Sequence, residues 1–214
     1  MKGQKTARDP LDRYYTPEWV VRILIENWPW PGVRTIGEPC AGMTQTEAAR
    51  KAGFADEASD IDPASPYRKL DFMAPPRTPT HELVVETYED LTIVSNPPYT
   101  TPIHTAADFV SRALDLTDQV AMLLRLPWLE PCEDRLEIFQ TMPPDSIWVL
   151  PRVHFEGPNL TPEQKNPGAT SCWFLWGAPE QEKIRWFGPK DEARARGQLE
   201  LVWDALRPST LRRV

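Results

Sequence analysis

Leu91-Thr92-Ile93-Val94-Ser95-Asn96-Pro97-Pro98-Tyr99 is the stretch on which the architecture turns. Leu91–Val94 is a compact apolar run of the kind that fills the interior of a sheet. The two prolines lack an N–H and cannot continue a strand ladder. A central strand is therefore predicted to stop here, with Asn96 to Tyr99 at its carboxyl end. Taken by itself, the tetrapeptide is also an adequate strand terminator, with Tyr99 capping the core.

Upstream, Val33–Ile36 predicts a strand, Gly37-Glu38-Pro39-Cys40-Ala41-Gly42 a tight loop, and Thr44–Lys51 a helix. A second strand ends in Ser59-Asp60-Ile61-Asp62-Pro63, and Pro75, Pro76 and Pro79 read as a surface loop. Nearer the start, Thr16-Pro17-Glu18 opens a helix with Thr16 as N-cap and Pro17 in the first turn. Val20, Val21, Leu24, Ile25 and Trp28 then recur at helical spacing. Downstream, helices are predicted over Pro102–Leu116, Glu133–Met142 and Glu192–Leu206. Strands are predicted at Val120–Leu124, Ile147–Leu150, Cys172–Trp176 and Ile184–Phe187. Alternating helices and almost wholly apolar strands imply an α/β fold, a mostly parallel sheet with helices on both faces. Such sheets bind ligands beyond the carboxyl ends of their strands.

At 214 residues the chain suits a single domain, 1–214, large enough to bury a core without staples. No apolar run approaches the length of a membrane span, and Met1–Lys5 leads into charged residues with no apolar signal segment. Cys40, Cys132 and Cys172 are far apart with no CxxC pair, so neither a disulfide framework nor a zinc site is expected. Isolated His81, His104 and His154 add no ligand cluster; the expectation is a cytoplasmic protein with no metal and no membrane partner.

The net charge of −7 alone argues against a polyanionic partner. Its distribution does not. Residues 1–22 hold five basic against three acidic side chains, and residues 183–214 hold eight against four. Basic ends on an acidic body can form a nucleic-acid face, since affinity follows local charge. Scattered solvated charge is the plainer reading of the same numbers. The polar loop 156–171 and the basic segment 183–214 are the candidate elements of such a face.

The order of the motifs narrows the choice. Tyr14-Tyr15-Thr16-Pro17, Glu38-Pro39-Cys40-Ala41-Gly42, Asp60, Asp71-Phe72 and Asn96-Pro97-Pro98-Tyr99 follow one another in a succession that resembles the S-adenosylmethionine-dependent amino-methyltransferases. The likeness is to DNA adenine-N6 methyltransferases of the phage and prophage type, and runs roughly from Asp12 to Trp176. Leu124-Arg125-Leu126, Trp128-Leu129-Glu130, Arg152-Val153-His154-Phe155 and Trp173-Phe174-Leu175-Trp176 are further echoes.

The resemblance implies a Rossmann-like class I methyltransferase fold, S-adenosylmethionine as cofactor, and double-stranded DNA with a flipped adenine as partner. It implies catalysis by Asn96, Pro97, Pro98 and Tyr99, with Tyr99 and Phe155 stacking on the target base. A core aromatic is the equal alternative for Phe155. On the cofactor side it implies Tyr14, Thr16 and Pro17 at the methionine end, with the loop of Glu38, Cys40 and Gly42. Asp60, with Asp62 as the alternative, would take the ribose hydroxyls, and Asp71 and Phe72 the adenine, next to Asn96. The family loop usually continues Gly-x-Gly, whereas here Gly42-Met43-Thr44 puts a branched residue at the second glycine; Thr44 is then a candidate helix cap. The same motif order also suits methylation of RNA adenine or of a protein glutamine, and a degenerate, non-catalytic nucleic-acid-binding module is the reading from another class.

Overall fold

The computed structural model describes residues 11, 13–89, 91–155 and 168–206, with side chains described as far as 197. Most of the loop 156–171 and the last eight residues of the basic segment thus lie outside the described residues.

The elements run α1 (Glu18–Glu26), β1 (Thr35–Glu38), α2 (Met43–Lys51), β2 (Ala55–Asp60), β3 (Arg68–Lys69) and α3 (Pro79–Tyr88). They continue with β4 (Thr92–Ser95), α4 (Ala106–Leu114), β5 (Val120–Arg125), α5 (Glu133–Thr141), β6 (Ser146–Val149), β7 (Ser171–Trp176), β8 (Ile184–Trp186) and α6 (Pro189–Leu206). Eight strands form one sheet in the order β3-β2-β1-β4-β5-β7-β6-β8. Every pairing is parallel except those of β7, which runs antiparallel to both β5 and β6.

Two apolar clusters lie on opposite faces, and strand alternation sorts the side chains between them. Ala121, Leu123, Trp173 and Leu175 join Val20, Ile23 and Leu24 of α1, Ala49 of α2 and Ala195 of α6. Val120, Met122, Leu124, Cys172, Phe174 and Trp176 join Val84 of α3, Val110 of α4 and Ile138 of α5. The central strands are apolar at successive positions because both their faces are covered. Trp173 Nε1 donates to Val20 O at 3.1 Å, which ties α1 to the antiparallel strand. Gly37 permits another close approach: a Cβ there would stand 2.6 Å from Tyr88 Cδ1.

Some local readings need correction. Thr16 does not cap α1; it is buried, and Pro17 occupies the N-cap with no side-chain hydrogen bond. Gly42, not Thr44, is the N-cap of α2. The proline-rich loop continues into a helix absent from the sequence reading, α3, where Pro79 takes the first turn behind the Thr78 cap. Helix α4 starts at Ala106 instead of Pro102, because Thr105 caps it in a reciprocal box with Asp108.

Candidate active site

The chain runs from β1 outward through β2 to β3, then returns to place β4 on the other side of β1. Loops diverging at such a switch leave a crevice between them. A cleft of about 460 Å³ opens there, within the range of small-molecule sites. The loops after the four strands line it: Cys40, Ala41 and Gly42 after β1, Asp60 and Asp62 after β2, Asp71 and Phe72 after β3, Asn96 and Pro98 after β4. Tyr14, Tyr15 and Thr16 line it from the N-terminal segment. Of the residues singled out from sequence, Tyr14, Thr16, Cys40, Gly42, Asp60, Asp71, Phe72, Asn96 and Pro98 therefore meet at one cleft.

The others are near but not in its wall. Pro17 caps α1. Glu38 is buried beneath the β1 loop, where Oε1 accepts from Ser95 Oγ at 2.8 Å and from Cys40 N at 3.2 Å. Pro97 is buried, and Tyr99 is half-buried against the second apolar cluster. Phe155 is a core aromatic, buried in the first cluster with its ring 6.4 Å from that of Tyr14, edge-on. Thr44 does not intrude on the cleft. It lines a separate hollow with Trp19 and Arg22, and Met43 takes the place beside the cleft.

Asn96 holds the N-terminal segment to the strand end: its Nδ2 donates to Tyr14 O at 3.0 Å. Its Oδ1 is buried and has no hydrogen-bond partner among the described residues. Asp62 is occupied by an ion pair, Arg13 Nη1 to Oδ2 at 2.7 Å, and hydrogen bonds from Ala64 N and Arg13 hold its carboxyl below the usual range. Asp60 is different. Its Oδ1 accepts from Asp62 N at 2.6 Å, and burial pushes its carboxyl up. Asp71 accepts from Met73 N through Oδ1 at 3.0 Å, and Phe72 stacks on Phe109 with ring centroids 6.3 Å apart. Burial also pushes the Cys40 thiol well up, which disfavours the thiolate.

Residues the sequence reading passed over include Arg13 and Gln45. Arg13 pins the N-terminal segment to the β2 loop. Gln45 lines the cleft and donates from Nε2 to Val94 O at 3.1 Å. The signal for Arg13 was its place directly before Tyr14; Gln45 carried none beyond lying one turn into α2. No group of His, Cys, Asp and Glu suited to a metal occurs among the described residues, and no described helix is long and apolar enough to cross a membrane.

Sheet order, the reversed β7 and a cleft at the carboxyl ends of β1, β2 and β4 define a Rossmann-like methyltransferase fold. Among solved structures, a modification subunit assigned to a type I restriction enzyme from Vibrio vulnificus YJ016 is similar over 97% of this chain, with a TM-score of 0.54 and 13% identity. The type IIG restriction endonuclease BpuSI is similar over 90% of the chain, with a TM-score of 0.59 and 14% identity. The chain spans 54% and 29% of those two proteins. At such identities the likeness is one of fold. No protein-family model and no curated protein matches the chain.

Proposed function

We propose that the chain is an S-adenosylmethionine-dependent methyltransferase that modifies the N6 amine of adenine in DNA. The observation that carries the reading is Asn96 Oδ1, a buried acceptor without a partner, on a residue that lines the cleft at the end of β4. Buried polar groups are nearly always paired, so an orphaned acceptor beside a ligand-sized cleft calls for a donor from outside.

An exocyclic amine on a purine is a weak nucleophile because its lone pair is delocalised into the ring. Two acceptors that take its hydrogens turn that lone pair outward. Asn96 Oδ1 and the Pro97 carbonyl are the pair, and Pro97 has no N–H to compete for them. No strong base is needed. The chain's contribution is positioning and electrostatic complementarity. When bound, the cofactor supplies a methyl group on a cationic sulfur.

The residues in the cleft suit that cofactor. Asp60, which lines the cleft at the end of β2, would take the ribose hydroxyls, and Asp71 the adenine amino group beside Phe72. Cys40, Gly42, Tyr14 and Thr16 would surround the methionine end. Asp62 is already held by Arg13, which favours Asp60 for the ribose. DNA as the acceptor is supported by the restriction-modification proteins that share the fold, and a duplex substrate requires the adenine to leave its stack.

Asn96→Ala is the direct test. Turnover is expected to fall by about three orders of magnitude or more, while equilibrium titration finds cofactor affinity within about threefold of the unaltered protein. Near-normal turnover would end the acceptor mechanism.

A further inference from the structure

Ile103 is the most exposed of the large apolar side chains among the described residues, at 81%, and it stands at the cleft rim with Thr101, Pro102 and His104. A lone exposed isoleucine is ordinary on a surface. Its mounting is not. Thr101 N donates to His104 O at 2.8 Å, and Ile103 N and His104 N both donate to Thr101 Oγ1, at 3.4 and 2.9 Å. An antiparallel bridge between Thr100 and Thr105 closes the turn. Thr105 then caps α4 through Asp108, anchoring the turn to a buried helix. Pro102 fixes a further dihedral. The chain thus holds an apolar, β-branched side chain out in water on a rigid tip, four residues beyond Tyr99.

We propose that Ile103 is the wedge that enters the base stack where the target adenine leaves it. The inference rests on the DNA reading above and adds to it: the loop bearing the acceptors also carries the element that holds the duplex open. Extruding a base gives up its stacking and pairing, and an apolar side chain slipped between base steps covers the faces left behind. A stiff side chain on a braced turn loses little entropy in doing so. The tip stands seven residues beyond Asn96 on the same loop, which ties the wedge to the strand end that would hold the target amine.

The test compares two duplexes carrying an adenine site mapped from labelled DNA, one with thymine opposite the target and one with an abasic site. In the abasic duplex the base is already unpaired. Ile103→Ala is expected to lower the paired-to-abasic rate ratio by about tenfold or more, and Ile103→Leu to restore it to within about threefold. A 2-aminopurine at the target is expected to brighten on binding the unaltered protein and not the Ile103→Ala variant. An unchanged ratio, or an equal loss on both duplexes, overturns the wedge. If the unaltered protein labels no DNA, no site can be mapped, and the DNA reading itself falls with the wedge, a result visible before any variant is made.

Discussion

Glu38 is the residue at which burial and chemistry pull hardest against each other. Its carboxyl is enclosed beneath the β1 loop, with Oε1 paired and Oε2 buried without a partner, and burial pushes it up to about 8 from an ordinary 4.5. Between about pH 4.5 and pH 8 the native chain keeps a proton that the unfolded chain has released. Stability is therefore fully present below the lower value and drains as pH rises to the upper one, by up to about 1.4 kcal/mol per pH unit. Denaturant titrations across that window should show the unaltered protein losing stability and Glu38→Gln staying nearly flat; parallel curves would contradict the assignment. Asp60 is tested by binding alone. Asp60→Ala should weaken cofactor affinity by about tenfold or more, and an unchanged affinity in calorimetry would shift the ribose contact elsewhere. At this scale order and spacing singled out Asp60, Asp71 and Asn96, which line one cleft. The sequence was least legible for aromatics. Nothing local distinguishes a stacking Phe155 from a core one, and its buried position depends on an apolar cluster that draws on residues as distant in sequence as Trp19 and Val20.

Elements were readable where one signal dominated. The apolar runs of β4, β5 and β7 and the helical spacing of α1 stand out because burial on a regular face leaves a regular pattern. α3 was hidden because Pro75, Pro76 and Pro79 look like loop punctuation, although a proline is compatible with a helix's first turn, where its missing N–H has no partner to lose. The direction of β7 was not legible either. Apolar alternation reports which faces are buried, not which way a strand runs. The beginning of α4 was misread by four residues because Pro102 is a plausible opening and the capping box is set by the Thr105–Asp108 pair instead. Thr105→Ala tests that box: it should lower stability by about 1 kcal/mol in denaturant titration. It should also loosen the turn bearing Ile103, read as faster amide exchange at Ile103 and His104. Unaltered stability and exchange would mean the cap is idle.

At the scale of the whole molecule, two apolar layers hold a sheet whose chain reversal beside β1 leaves one crevice, and four strand ends deliver their polar residues to it. Arg13 on Asp62 and Tyr14 O on Asn96 draw the N-terminal segment across the same opening. On the function proposed above, this crevice transfers a methyl group to an adenine amine in DNA. The measurement that reaches it most directly is incubation of the full chain with tritiated S-adenosylmethionine and, separately, DNA, RNA and protein pools, followed by nucleoside analysis of whatever is labelled. Label is expected in DNA alone, recovered as N6-methyladenine, and lost in Asn96→Ala. Label confined to RNA or protein, or no label from a chain that binds the cofactor, would contradict it.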